Sequence, residues 1–316
     1  MFYTKISTKM TNFNKLLIAL TAFLAILYFL SFTKSCTTSD HREKIKSALV
    51  NQKYKDSITS FELSDASLSI LIKKQGSFWT ITAASTPEIS LPASPERIEK
   101  LIESLIKVRN LYKISDKINK NSSFGLTSGT EFHLRYNTAD GIFHELIFGN
   151  QDFSLSSRYM MTEKSTAVYE IDSSLDTFLT TSIQSWTEPF IISQSVLGKI
   201  PTTDIQRSSA NYQNHLYPLK DCQKLLELRH GGLPGLQEVN KIKENQKSAE
   251  IKILLESGNK DEIELEIYPA DSESEYIIQI QYYKASGQQS ANRQPFYTSY
   301  SKISSWTYNK IKENIL

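Results

Sequence analysis

The segment EFHLRYNTADGIFHELIFG, Glu131 to Gly149, alternates apolar and polar side chains on both sides of an Ala-Asp-Gly turn, and its register decides the fold. A two-residue Asp140-Gly141 loop would set Leu134 opposite Ile147 and scatter the apolar residues of the second strand over both faces. A three-residue loop from Ala139 to Gly141, with glycine in the left-handed position, instead pairs Phe132 with Phe148 and Leu134 with Leu146. It also sets Arg135 across from Glu145 on the other face. The second register keeps one face apolar, so an antiparallel hairpin with one buried side is expected.

The same pattern returns in AEIKILLESGNKDEIELEIYP, Ala249 to Pro269. Pairing Leu255 with Ile263, Ile253 with Leu265 and Ile251 with Ile267 leaves the loop Gly258-Asn259-Lys260, whose centre lies 119 residues after Asp140. Before the first hairpin stands a helix with Ser94 as N-cap, Pro95 at its first position and Ile98, Leu101, Ile102, Leu105 and Ile106 at helical spacing. Before the second stands a stripe of Leu219, Cys222, Leu225 and Leu226. The strands RYMMTE and AVYEID follow the first hairpin, then a helix from near Ser173 with Leu175, Phe178, Leu179, Ile183 and Trp186, stopped by Pro189. EYIIQIQYY and PFYTSY follow the second, then a terminal helix with Ile303, Trp306 and Ile311. Trp186 and Trp306 fall at matching places. The expected fold class is α+β: two diverged copies of an antiparallel-sheet-plus-helix module, over 57–192 and 201–316. A meander of Ile58 to Ser64, Leu68 to Lys74 and Phe78 to Thr82 opens the first copy.

The 316 residues suffice for two domains with their own cores, and 40% hydrophobic against 22% charged residues excludes a disordered chain. Thirty-six basic against 34 acidic residues leave a net charge of +2, which gives no basis for a nucleic-acid partner. The apolar residues are densest from Leu16 to Thr33, a charge-free stretch of LLIALTAFLAILYFLSF that as a helix measures about 27 Å, near the thickness of a bilayer core. Lys5, Lys9 and Lys15 precede it, which by the positive-inside rule puts 1–15 in the cytoplasm, 16–33 across the membrane as an uncleaved signal anchor, and the rest outside. Residues 34–56 read as a charged linker. A cleaved signal peptide and lipidation at Cys36 are the alternatives; Thr33-Lys34-Ser35 departs from the apolar-small residues that precede a lipidated cysteine.

Several motifs together look like a known family: Trp79 at the end of a meander, a Pro-preceded helix, Phe124-Gly125-Leu126, a hairpin ending in Ile147-Phe148-Gly149, and Arg158-Tyr159 with Val168-Tyr169. They resemble the domain of unknown function 4340 family, well over about Ile58 to Ile192 and more loosely beyond. The resemblance implies an anchored bacterial envelope protein of the inner membrane with its C-terminal part in the periplasm or outside. It further implies a non-enzymatic accessory or scaffold role beside the permease and ATPase subunits of a gliding-motility-type ABC transporter. It supplies no catalytic residues.

The residues themselves offer little chemistry. The eleven glycines form neither a P-loop nor a dinucleotide fingerprint, and the five histidines, His41, His133, His144, His215 and His230, contain no metalloprotease spacing. His230-Gly231-Gly232 resembles an esterase oxyanion run, but no GxSxG nucleophile elbow accompanies it, and glycines after a helix are ordinary terminators. Cys222 on its apolar stripe reads as a small hydrophobe rather than a nucleophile, and a Cys36–Cys222 disulfide would tie a linker to a core. Lys252 opposite Glu266 marks a solvated sheet face. No cofactor, metal or catalytic residue is expected. Tyr276, Tyr282, Tyr283, Tyr297 and Tyr300 are the candidate binding surface, a stripe for a sugar or peptide, with a cleft between the copies as the alternative function and an envelope hydrolase behind it.

Overall fold

The computed structural model describes residues 20–25, 28, 43–117, 124–126, 129–197, 205–258, 260–272, 274–284 and 294–316. The chain divides into two compact units, Met1–Glu43 and Lys44–Leu316. In the first, residues 20–25 and 28 are helical; the rest of the expected span 16–33, the cytoplasmic stretch 1–15 and Cys36 lie outside the described residues. Among the described residues, no helix is long and apolar enough to cross a membrane.

The second unit contains two antiparallel sheets and few helices, a mixed α+β fold. The first sheet has ten strands in the order β1 (Lys44–Ser47), β6 (Arg109–Ser115), β10 (Val168–Asp172), β9 (Ser157–Thr162), β8 (Phe143–Gln151), β7 (Phe132–Thr138), β2 (Ile58–Ser64), β3 (Ser69–Gln75), β4 (Phe78–Ala83) and β5 (Thr86–Pro92). The β7–β8 register is the expected one: Phe132 faces Phe148, Leu134 faces Leu146 and Arg135 faces Glu145. Gly141 takes a φ of +74°, the left-handed bulge that lets the three-residue loop close.

Helix α1 (Pro95–Ile106) lies on the apolar face. Ser94 Oγ accepts from the Arg97 amide, and Ile98, Leu101, Ile102 and Leu105 are buried. That face joins Phe61, Leu63, Ile72, Ile81, Leu134, Phe148 and Trp186 in one core.

The second sheet runs β12 (His215–Tyr217), β11 (Ile205–Tyr212), β13 (Ile251–Ser257), β14 (Glu262–Pro269), β15 (Glu275–Tyr283) and β16 (Tyr297–Ser304). Its hairpin pairs Leu255 with Ile263, Ile253 with Leu265 and Ile251 with Ile267, again as expected. Helices α4 (Cys222–Glu227) and α6 (Ser305–Ile315) pack Leu225, Leu226, Tyr308, Ile311 and Ile315 onto the core around Ile253, Leu265, Ile278 and Ile280. Helix α5 (Leu236–Lys243) packs Val239 and Ile242 against Tyr268, Ile277 and Tyr300 in a smaller cluster.

Three expectations need correction. Residues 44–56 are not linker: β1 pairs with β6, and Val50 is fully buried in the first core. The lysines that made this stretch look like linker, Lys44 and Lys46, are exposed on an edge strand, where lysine guards against further pairing. The helix expected from Ser173 to Pro189 breaks into a 3-10 turn, Ser173–Phe178, and a single turn α2 (Ile183–Trp186). Between them Thr180 Oγ1 takes the Ser182 amide, the local side-chain competition that ends helices. Ile303 belongs to β16 rather than to the terminal helix. Finally, β5, β6, β11, β12 and α5 occupy stretches without a sequence reading, and the short helix α3 (Gln194–Leu197) precedes β11.

Candidate functional site

The five tyrosines do not form one stripe. Period-two alternation sends Tyr276 and Tyr282 to one face of β15 and Tyr283 to the other. Tyr297, opposite Tyr282 on β16, shares the first face, and Tyr300, opposite Gln279, shares the second. Tyr276 stacks flat on Tyr308 with ring centres 3.9 Å apart, and the Tyr283 hydroxyl donates to Glu264 at 3.0 Å.

Tyr282, Tyr297 and Tyr300 are buried, and residues of the first sheet cover Tyr297 and Tyr300. Phe78 of β4 sits in the second core, edge-on to Tyr297 at 5.1 Å, and Tyr297 lies 5.8 Å from Tyr282. The Ser90 hydroxyl of β5 donates to the Tyr297 oxygen at 3.3 Å, and the Ser193 amide donates to the Tyr282 oxygen at 3.0 Å. Burial pushes both phenols far above their usual range, so they stay neutral. Ile89 of β5, with no exposed surface, packs beside Tyr300, whose oxygen accepts from Gln279 Nε2. At these positions the seam between the sheets is a filled apolar joint.

His230 locks the same joint from the side. Its Nε2 bonds the Glu188 carbonyl at 2.7 Å and its Nδ1 accepts the Gly232 amide at 3.0 Å, an arrangement that requires the neutral Nε2–H tautomer. Burial lowers its pKa, against the opposing effect of the Glu188 bond. Gly231 N–H donates to the Lys302 carbonyl and Lys302 N–H to the Gly232 carbonyl, so this run bridges to β16 rather than framing an oxyanion. Gly232 holds a φ of +113°, which a side chain rarely tolerates.

The motifs behind the family resemblance are also structural. An ideal Cβ on Gly149 would lie 2.0 Å from the Phe124 carbonyl, which instead accepts the Asn150 amide at 2.8 Å. Arg158 donates to Asp176 at 2.7 Å and to the Gly149 carbonyl at 2.5 Å, fastening the end of β8 to the 3-10 turn. On the open face of the first sheet Arg135 bridges Glu145 at 2.7 Å and Glu62 at 2.8 Å, with His133 2.9 Å from Glu145. His144 is on the opposite face, stacked on Tyr136. Cys222 is a free, partly buried thiol packed against the second core. Among the described residues no group of three or more His, Cys, Asp or Glu side chains converges as a metal cage.

A surface cleft lies elsewhere, between α4 and α6. It measures about 450 Å³ and is lined by Leu225, Leu228, Trp306, Asn314 and the lysines 220, 224 and 310. Trp306 is 64% exposed, whereas Trp186, expected at the matching position, is 0% exposed and donates Nε1–H to the Thr180 carbonyl. Acidic neighbours stand beside two of the lysines, Lys310 with Glu313 at 2.7 Å and Lys224 at 3.9 Å from Asp221, and Glu227 adds a further carboxylate to the lining. The cleft is therefore an aromatic-edged, charge-balanced slot. By order of elements Trp306 matches Trp186, but on its own helix it stands off the buried stripe of Tyr308, Ile311 and Ile315.

The geometry defines an α+β protein of two antiparallel sheets joined by an apolar seam. The family model described as domain of unknown function (DUF4340) matches residues 79–257, more than half of the chain, and the chain belongs to that family. The match runs from β4 through β13, so it crosses the seam and extends beyond the first half. No curated protein and no solved structure matches the chain.

Proposed function

We propose that the protein is a non-enzymatic, membrane-anchored envelope protein, an accessory or scaffold subunit of a transport complex of the ABC type. The observation that carries this reading is the charge-free stretch Leu16 to Thr33 behind Lys5, Lys9 and Lys15, joined to a body whose polar clusters are internally paired. Family membership favours it as well. Co-purification from mild detergent after crosslinking tests it: recovery of a permease and an ATPase with the chain supports the role, and recovery of the chain alone removes it. Protease added to spheroplasts should degrade the body, and protection of residues beyond Lys44 would reverse the orientation.

The two sheets are best understood as diverged copies of one unit. In support, a hairpin (β2–β3 and β12–β11) contributes the strand that flanks a four-strand meander (β7 to β10 and β13 to β16) in each half, and a helix precedes each meander. A second functional reading, binding of a small ligand, is favoured by the cleft at Trp306. The filled seam at Phe78 and Ile89 gives no support to a ligand site there.

A further inference from the structure

Among the described residues from Lys44 to Ile192, five large apolar residues stand more than a third exposed: Leu68, Val108, Phe143, Phe153 and Leu155. Four of them share one end of the ten-stranded sheet. The ladders place Ser64, Gln151, Ser157, Asp172, Arg109 and Ser47 at that end. Leu68 is in the turn after β2, Phe153 and Leu155 are in the β8–β9 loop, and Val108 leads into β6. Phe143 alone is at the opposite end.

We propose that this end is a membrane-contacting surface, with Phe153 and Leu155 seated in the interfacial layer of a lipid bilayer and Leu68 and Val108 beside them. The loops satisfy several of their own backbone donors. The Asp152 carboxylate accepts the amides of Ser156 and Ser157 at 3.0 Å, and the Leu155 amide donates to the Asp152 carbonyl at 3.1 Å. Asp65 likewise accepts the amides of Ser67 and Leu68 at 2.8 and 2.9 Å. Loop amides satisfied from within need no water partner, and the Asp152 and Asp65 carboxylates belong at the depth of the lipid headgroups. Leu155 holds a φ of +58°, where glycine is the usual residue, so the sequence keeps a solvent-facing leucine at a strained position.

The bilayer is chosen as occupant because of how the chain arrives, and this choice rests on the anchored reading above. The strand β1 is four residues long, so Lys44 enters about 10 Å from the apolar end. From an anchor ending at Thr33 the chain reaches at most roughly 40 Å to Lys44, which keeps the body beside the membrane at high effective concentration. A few apolar side chains on loop tips are too small for a stable protein interface and sufficient for tethered interfacial contact.

The test uses the full chain in phosphatidylcholine vesicles with Phe153→Trp, and Leu216→Trp on β12 as the control. The fluorescence added at 153 should shift to the blue and fall about twofold or more when brominated lipid replaces ordinary lipid, with 216 unchanged. Equal insensitivity of the two positions overturns the proposal, as does a blue-shifted signal at 153 that brominated lipid leaves alone, the mark of a protein pocket. Leu155→Gly should raise the melting temperature while weakening the quenching at 153. Alkaline carbonate reads the anchor separately: extraction of the chain defeats the anchor, whereas a chain that resists extraction but is not quenched at 153 defeats the surface alone.

Discussion

The two sheets close their cores in different ways. The first is covered by its own α1, by the 3-10 turn and by Trp186, over which Arg97 stacks at 4.6 Å. The second is covered by α4 and α6 on part of its face and by Phe78 of the first sheet on the rest, while Trp306 stays outside. A half that borrows a ring from its neighbour cannot be complete alone. The boundary that sequence places between 192 and 201 separates two patterns, yet Phe78 of the first and Ile191 and Ile192 before the boundary all belong to the second core.

That contrast can be broken residue by residue. Phe78→Ala should cost about 3 to 5 kcal/mol, the usual range for a fully packed ring, read as the shift in urea midpoint at unchanged slope. Trp186→Ala should cost about the same, roughly 3 to 5 kcal/mol, since its ring has no exposed surface. Gly149→Ala should cost about 1 to 3 kcal/mol, because the new methyl group meets the Phe124 carbonyl and the end of β8 must shift. His230 makes the seam sensitive to acid. Its folded pKa lies below the unfolded value of about 6.5, so its contribution is complete above that pH and declines as pH falls toward the folded value. Chemical denaturation of His230→Gln between pH 7 and pH 5 should show a flatter profile than the parent chain. Trp306→Ala should change stability by less than about 0.5 kcal/mol, and a larger loss would mean that the two closing helices are more alike than their exposure indicates.

Much of the fold was legible because hairpin registers are local. The apolar alternation specified both central hairpins down to the pairs Arg135 with Glu145 and Lys252 with Glu266, with Gly141 at the left-handed turn position of the first and Lys260 at that of the second. The edge strand β1 was not legible, since Lys44 and Lys46 hide an alternation that only pairing with β6 completes. The β5 strand carries Pro87 and Pro92, which mask Ile89 and Leu91 as core residues. The tyrosines illustrate the limit most clearly. Their sequence is compatible with a binding stripe, and what Tyr297 and Tyr300 meet is Phe78, Ile89 and Ser90, residues more than 200 positions away. Only a tertiary contact distinguishes a ligand surface from an intramolecular joint.

Native-state hydrogen exchange on the full chain carrying Phe78→Ala tests that joint most directly. The shared seam requires protection to fall in β15 and β16 as well as in β3 to β5, with Ile280, Tyr282 and Thr298 opening together with the first sheet. Loss confined to β3 to β5, with β15 and β16 as protected as in the parent chain, would contradict it and restore two independent modules.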